Sequence, residues 1–151
     1  MNKFSLGLMI AVLPILANAG ERVVVTNSYV RDIESWPVKD GTFWRQNHFG
    51  TFKVKEGPIT DGLVNCIGSG FGGASGVRGE GICIYELTDG TFTMTWQSIP
   101  GAPNNWQIGL GTGRYEGIEG KGTSVSKVKS EFTAIQHYES TWSGEITLKA
   151  D

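Results

Sequence analysis

The sequence is poor in the residues that build metal, redox and nucleic-acid sites. Its 151 residues include two cysteines and two histidines, with no Cys-x-x-C pair and with His48 far from His137. Thirteen lysines and arginines are balanced by fifteen aspartates and glutamates, and no basic run occurs. We therefore expect no metal, no cofactor and no nucleic-acid or anionic-lipid partner.

Signatures of the common catalytic sites are also missing. The glycine-rich segment 68–79 lacks the Gly-Lys-Ser/Thr ending of a phosphate loop, and no nucleophile elbow is present. A carboxylate pair for glycoside chemistry would have to come from glutamates that are ordinarily at the surface. These are Glu86, Glu116, Glu119 and Glu131. Both histidines are expected to be surface or hydrogen-bonded residues. The sequence therefore favours a protein without catalysis.

Residues 1–19 have the organisation of an export signal. Lys3 precedes an apolar stretch, residues 4–16, and Ala17-Asn18-Ala19 is a small-x-small cleavage site. The stretch is shorter than the ~20 residues of a membrane-spanning helix. We predict cleavage near Ala19, a single mature domain of residues 20–151, and a periplasmic or secreted protein without a membrane span.

The two cysteines suit that compartment, because disulfides form and persist in exported proteins. We predict a structural bridge between Cys66 and Cys83, and a reactive or metal-bound thiol is the alternative. The bridge would close the segment 68–79, which we expect to be a flexible connection, and would contribute ~3 kcal/mol in the chain-entropy model.

Helical periodicity is absent, and short alternating runs are separated by Gly, Asp and Asn. Residues 32–41 and 98–105 are expected to be loops, 111–122 a tight bend, and Gly50 a bulge. The predicted strands are residues 21–31, 42–55, 61–67, 82–87, 92–96, 106–110, 131–137 and 141–149. A barrel removes sheet edges, and interior glycines permit the coiling that closure needs. The predicted fold class is therefore all-β, an antiparallel eight-stranded barrel.

The strands at 82–87 and 92–96 predict a hairpin with Asp89-Gly90 as its two-residue loop. This register opposes Tyr85 to Met94 and Cys83 to Trp96. One face is then apolar and is expected to be internal; it consists of Cys83, Tyr85, Leu87, Phe92, Met94 and Trp96. The other face, with Ile82, Ile84 and Glu86, is mixed and is expected to be external.

The turn sequence IGLGTGRYEGIEG, residues 108–120, resembles the glycine-rich turn of allene oxide cyclases and dirigent proteins. The matching positions are Gly111, Thr112, Gly113, Tyr115, Gly117 and Gly120, and Glu116 matches the cyclase version. The hairpin before it is similar to that of exported bacterial relatives. The resemblance covers roughly residues 79–122 and implies a calycin-like, allene oxide cyclase-type barrel with a lumen, often oligomeric. The cyclases' early-strand lumen glutamate has no counterpart, since residues 23–30 contain no Glu or Asp.

Together these observations predict an exported, disulfide-bonded barrel that acts as a non-catalytic binding or structural module, with a small hydrophobic molecule as its candidate ligand. An isomerase- or cyclase-like enzyme acting in the lumen is the alternative, and would need an inward, buried ionisable residue. A homo-oligomer formed through the mixed face is a third hypothesis. The candidate lumen lining is Tyr85, Phe92, Met94, Trp96, Trp106 and Tyr115. The same side chains could instead fill the interior as packed core, because an eight-stranded barrel is only just wide enough for them.

Overall fold

A computed structural model describes residues 20–132 and 135–149. Across these residues eight antiparallel strands each pair with the next in sequence, and the last pairs with the first to close a barrel. The strands are β1 (Glu21–Val38), β2 (Gly41–Glu56), β3 (Gly62–Gly73), β4 (Gly76–Leu87), β5 (Gly90–Ser98), β6 (Asn104–Gly113), β7 (Glu119–Phe132) and β8 (Ile135–Thr147). The predicted all-β, eight-stranded antiparallel barrel is confirmed.

The predicted export signal, residues 1–19, lies outside the described residues. Within the described ranges there is no helix with the length and hydropathy needed to cross a bilayer. The closed sheet runs through both described ranges, from β1 to β8.

Side chains alternate between the interior and the exterior of the barrel, as the pleat of a strand requires. On β4, Cys83 and Tyr85 are buried, whereas Ile82 and Ile84 are 44% and 45% exposed. The predicted internal and external faces of the hairpin are therefore confirmed. The buried apolar side chains that form the core include Val23, Val25, Phe52, Val64, Phe92, Met94, Trp106, Ile108, Trp142 and Ile146.

The lower end of the barrel, where β1 begins and β8 ends, is plugged. Tyr115 and Ile118, from the turn between β6 and β7, are buried there together with Ile59. The Tyr115 hydroxyl donates to the Asp89 carboxylate at 2.9 Å, and Arg114 pairs with the same carboxylate at 3.3 Å. The glycine-rich turn thus holds a tyrosine inside the barrel rather than displaying it.

Part of the inner wall is made of glycine, and indole rings lie against it. The wall glycines of β3 and β4 are Gly68, Gly70, Gly79 and Gly81. A Cβ atom at any of the four would lie less than 3.0 Å from the ring of Trp44 or Trp96. These two rings are nearly parallel, at 7°, with centroids 6.5 Å apart; we call them the Trp44–Trp96 floor. Trp106 lies in the same way against Gly122 and Gly144 on β7 and β8.

Cys66 and Cys83 form the predicted disulfide, at directly opposed positions of β3 and β4. The flexible connection predicted for residues 68–79 is wrong. β3 continues to Gly73, β4 starts at Gly76, and residues 68–73 pair in register with residues 76–81. Glycine has a low strand propensity, but here the indole rings cover the glycine backbone and replace the missing side-chain packing.

The register predicted for the β4–β5 hairpin is wrong by two residues. Tyr85 pairs with Phe92 rather than with Met94, because the two-residue loop is Thr88-Asp89 rather than Asp89-Gly90. The Asp89 carboxylate is fixed by the hydrogen bond of the lower plug, so it stays inside the turn. A shift of two residues keeps every side chain on its predicted face, since the side-chain period is two.

Other boundaries also differ from the predictions. β1 extends to Val38 through the predicted loop, because its pairing with β8 stops at Arg31 and the missing N–H of Pro37 interrupts no ladder on that side. The β1–β2 register shift lies between Val24 and Val25, and Gly50 is paired without a bulge. β7 occupies residues predicted as a bend or left unassigned. The predicted strand 131–137 spans the end of β7 and the start of β8, with residues 133 and 134 outside the described ranges.

Gly68→Ala should destabilise the barrel. The new Cβ would meet the ring of Trp96 and, at 2.8 Å, the carbonyl oxygen of Glu80, and such overpacking typically lowers the free energy of unfolding by about 1–3 kcal/mol. Gly72→Ala on the same strand is the control, because the nearest atom to its Cβ is 3.9 Å away; we expect a change within about 0.5 kcal/mol. Urea unfolding followed by tryptophan fluorescence measures both, and equal destabilisation would contradict the role of the glycine wall.

Candidate functional site

A cavity of about 230 Å³ lies inside the upper half of the barrel. Its wall is aromatic on several sides and polar on others. Its lining includes Asn27, Tyr29, Arg31, Trp44, Gln46, His48, Tyr85, Met94, Trp96, Ser126, Tyr138, Ser140 and Trp142. Mainly apolar walls with a few polar groups are typical of small-molecule sites, and this volume is below the ~300–1,000 Å³ of drug-sized ones. The cavity therefore suits a small compound.

Polar groups reach the cavity from several strands, and on β1 the inward side changes character along the strand. Val23 and Val25 lie in the packed lower half. Asn27, Tyr29 and Arg31 follow at the same alternation and line the cavity. The lumen is thus apolar at the lower end and polar above it.

Asn27 is 1% exposed and forms the boundary between the two halves. Its Nδ2 donates to the hydroxyls of Tyr85, at 3.1 Å, and of Tyr29. Its Oδ1 accepts a hydrogen bond from Nε1 of Trp142 at 3.3 Å. The Tyr29 hydroxyl also contacts Sγ of Cys66 at 3.5 Å. Because buried polar groups are costly unless they are hydrogen-bonded, this network fixes the cavity side chains in place.

His48 lies in the cavity wall and is 6% exposed. Its ring centroid is 5.0 Å from that of Tyr29 and 5.1 Å from that of Tyr138. Burial, and then the positive charge of Arg31, lower the pKa of His48 from 6.5 to about 3. The imidazole is therefore neutral at physiological pH. Its Nε2 atom is buried and has no hydrogen-bond partner among the described residues.

Arg31 brings a positive charge to the same cavity. Its Nη1 donates to Oε1 of Gln136 at 3.1 Å, and its guanidinium carbon lies 5.0 Å from the ring centroid of Tyr138. Such a cation–π contact orients the guanidinium over the ring. Among the described side chains that line the cavity, it carries the only formal charge at neutral pH.

The side-chain hydroxyls of the two buried tyrosines in the network, Tyr29 and Tyr85, are protonated at neutral pH. Burial raises the pKa of Tyr85 above its ordinary value of 10, and burial together with the nearby Tyr85 does the same for Tyr29. At neutral pH both therefore act as hydrogen-bonding groups rather than as bases. The described residues also contain no group of three His, Cys, Asp or Glu side chains placed to hold a metal ion.

The six candidate lining residues divide between the two halves of the lumen. Tyr85, Met94 and Trp96 line the cavity. Phe92, Trp106 and Tyr115 are buried in packed core outside it. A role of any of the six in ligand binding stays a prediction. Of the glutamates considered for catalysis, Glu86 and Glu116 are exposed.

The sequence alone did not identify His48 and Arg31 as residues of the cavity wall. His48 was expected at the surface or in an ordinary hydrogen bond, but it is buried and Nε2 is unsatisfied within the described chain. Arg31 was assigned to the end of a strand without a role. The alternation begun by Val23 and Val25 would have placed Asn27, Tyr29 and Arg31 on the inward face.

The exterior carries an open groove of about 1150 Å³ across β2 to β8. It contains the predicted external residue Ile82 and its cross-strand neighbour Ile67, which is 56% exposed. Around them stand polar and charged side chains, including Thr95, Gln107 and Lys121. The external face is thus mixed, as predicted, and its use in oligomerisation stays a hypothesis.

The buried, neutral state of His48 predicts a pH-dependent stability. Its folded pKa lies below the unfolded value, so acidification from pH 6.5 protonates the unfolded chain first and lowers the free energy of unfolding. Between pH 6.5 and 5 the loss should be about 2 kcal/mol, at about 1.4 kcal/mol per pKa unit. Urea unfolding should show this slope in the wild type and in His137→Gln, an exposed control, and a flatter slope in His48→Gln. The same slope in His48→Gln would refute the assignment.

No protein-family profile and no curated protein matches this sequence. A solved structure similar to the chain is that of a pterocarpan synthase dirigent protein. The two share 13% sequence identity over 93% of this chain and 100% of the other, with a TM-score of 0.45. At that level the likeness extends to the barrel fold at most, and no residue role is transferred from it.

Proposed function

We propose that the protein is a non-catalytic binding barrel that holds one small, mainly apolar ligand in its upper lumen. The observation that carries this proposal is the cavity of about 230 Å³, whose wall combines aromatic rings with polar side chains. Concave sites of this composition inside small barrels are typical of ligand binding.

The contrast between the two halves of the lumen supports this reading over a filled core. In the lower half, Tyr85 stacks on Phe92 at 4.7 Å, and the edge of Phe52 meets Tyr85 at 5.0 Å. In the upper half, the Trp44–Trp96 floor lies close against its glycines, and the same two rings line the cavity. Close packing is thus complete at one end and interrupted at the other.

We also propose that the barrel works outside the cytoplasm, in the periplasm or as a secreted protein. The disulfide between Cys66 and Cys83 supports an oxidising compartment. The export signal predicted at residues 1–19 supports the same location. Immunodetection of the protein in periplasmic and culture fractions tests it, and confinement to the cytoplasm would refute it.

An isomerase-like enzyme is the second candidate, and His48 is the observation that favours it. It is the inward, buried ionisable residue that catalysis in the lumen would need. Its lowered pKa makes it a weak base, however, and the neighbouring hydroxyls of Tyr29 and Tyr85 are protonated. We therefore expect a bound compound to be recovered unchanged, as checked by mass spectrometry and chiral chromatography. Conversion that His48→Gln abolishes while binding persists would establish the enzyme instead.

Filling the lumen should abolish binding. Ser126 lines the cavity on β7, and Ser126→Trp would place an indole ring in it. The adjacent Val125 is 61% exposed on the outer face, so Val125→Trp adds the same ring outside the barrel. Titration calorimetry with benzyl alcohol, a neutral single-ring probe, should show binding to the wild type and to Val125→Trp and at least a tenfold loss in Ser126→Trp, since the lumen can no longer bury the ring. Equal affinity of both variants would place the site elsewhere.

A further inference from the structure

The upper lumen contains a buried hydrogen-bonding atom that the described residues do not satisfy. This atom is Nε2 of His48, on a side chain that is 94% buried and that lines the cavity. Buried polar groups are nearly always hydrogen-bonded, and an exception needs an explanation. A group held inside the cavity would provide the missing partner.

The electrostatics of the cavity favour a negative group there. Arg31 lines the same cavity, and its positive charge contributes to the lowered pKa of His48. The described lining contains no Asp or Glu. At low dielectric, a cationic side chain in the wall disfavours a cationic ligand and favours an anionic group that can contact it.

The shape of the cavity favours a flat ring. The two indole rings of the Trp44–Trp96 floor are within 7° of parallel, and both belong to the cavity wall. A planar ring can stack on them at the offset that aromatic pairs prefer. A cavity of about 230 Å³ has room for one such ring with a short substituent.

We infer that the upper lumen binds a single-ring aromatic carboxylate, with its ring on the Trp44–Trp96 floor and its carboxylate at Arg31 and His48. This inference rests on the proposed function and adds the charge and shape of the ligand. In the tautomer that carries the proton on Nε2, the neutral imidazole donates a hydrogen bond to one carboxylate oxygen. The guanidinium of Arg31 supplies the opposite charge, and charge-assisted hydrogen bonds of this kind are about twice as strong as neutral ones.

Titration calorimetry at neutral pH with benzoate and benzamide tests the inference, because the two probes have nearly the same shape and differ in charge. Benzoate should bind the wild type at least tenfold more tightly. In Arg31→Gln that preference should fall to about twofold or less. Arg45→Gln is the matched control, since Arg45 is exposed and pairs with Glu34 at 2.7 Å outside the lumen; it should keep the full preference. Arg31→Lys retains the positive charge and should keep most of the preference for benzoate. If Arg31→Gln does not fold, this variant is the test, and loss of the preference in it would contradict the inference.

The outcomes separate the inference from the proposed function. Equal affinity for benzamide and benzoate, or a preference that survives in Arg31→Gln, would overturn the inference while leaving a binding barrel. Failure of both probes and of benzyl alcohol to bind would overturn both. Cyclohexanecarboxylate has the same charge as benzoate but a puckered ring, so it tests stacking on the Trp44–Trp96 floor. If it binds as tightly as benzoate, the planar-ring part of the inference is overturned. In an NMR titration with benzoate, chemical-shift changes confined to the outer groove around Ile67 and Ile82 would also overturn the inference.

Discussion

The stacking of indole rings on glycine backbone is the contact on which the rest of this barrel depends. An eight-stranded barrel has an interior only just wide enough for its own side chains, yet this one encloses Trp44, Trp96, Trp106 and Trp142. The wall glycines of β3 and β4 make this geometrically possible, because even a Cβ atom at those positions would collide with a ring. The rings of Trp44 and Trp96 lie close against the wall, and they line the cavity. The site is thus a consequence of how large aromatic side chains are accommodated.

The division of the lumen into an apolar and a polar half is seen most directly along β1. Asn27 satisfies two tyrosine hydroxyls and one indole N–H, so it can be buried at the boundary without a large desolvation cost. Above it, burial keeps His48 neutral and the tyrosines protonated, so Arg31 is the charged residue of the described cavity lining. A packed lower half supplies stability, and the upper half is free to carry polar groups that a core would exclude.

Features that depend on local sequence pattern could be predicted from the sequence, whereas features that depend on contacts between distant residues could not. Alternation and composition were enough for the fold class, the disulfide and the inward face of the β4–β5 hairpin. They could not distinguish registers two residues apart, because the choice is made by the bond of Tyr115 to Asp89, which joins positions 26 residues apart in the chain. The glycine-rich strands were mistaken for a loop because their stabilising partners, Trp44 and Trp96, are on other strands. Arg31 and His48 come together in the cavity wall only when β1 and β2 are paired in the sheet.

The glycine content of the paired strands β3 and β4 accounts for the position of the disulfide. The conformational entropy of the four wall glycines alone weakens β3 and β4 by about 2–4 kcal/mol, at ~0.5–1 kcal/mol each. A bridge that closes a loop of this length contributes ~3 kcal/mol, which is of the size needed to offset that loss. It joins β3 and β4 at Cys66 and Cys83, two positions from the nearest wall glycines, and Cys66 is paired with His48 across β2 and β3. The bridge therefore stabilises a glycine-rich pair of strands and, through it, the part of the cavity wall next to His48.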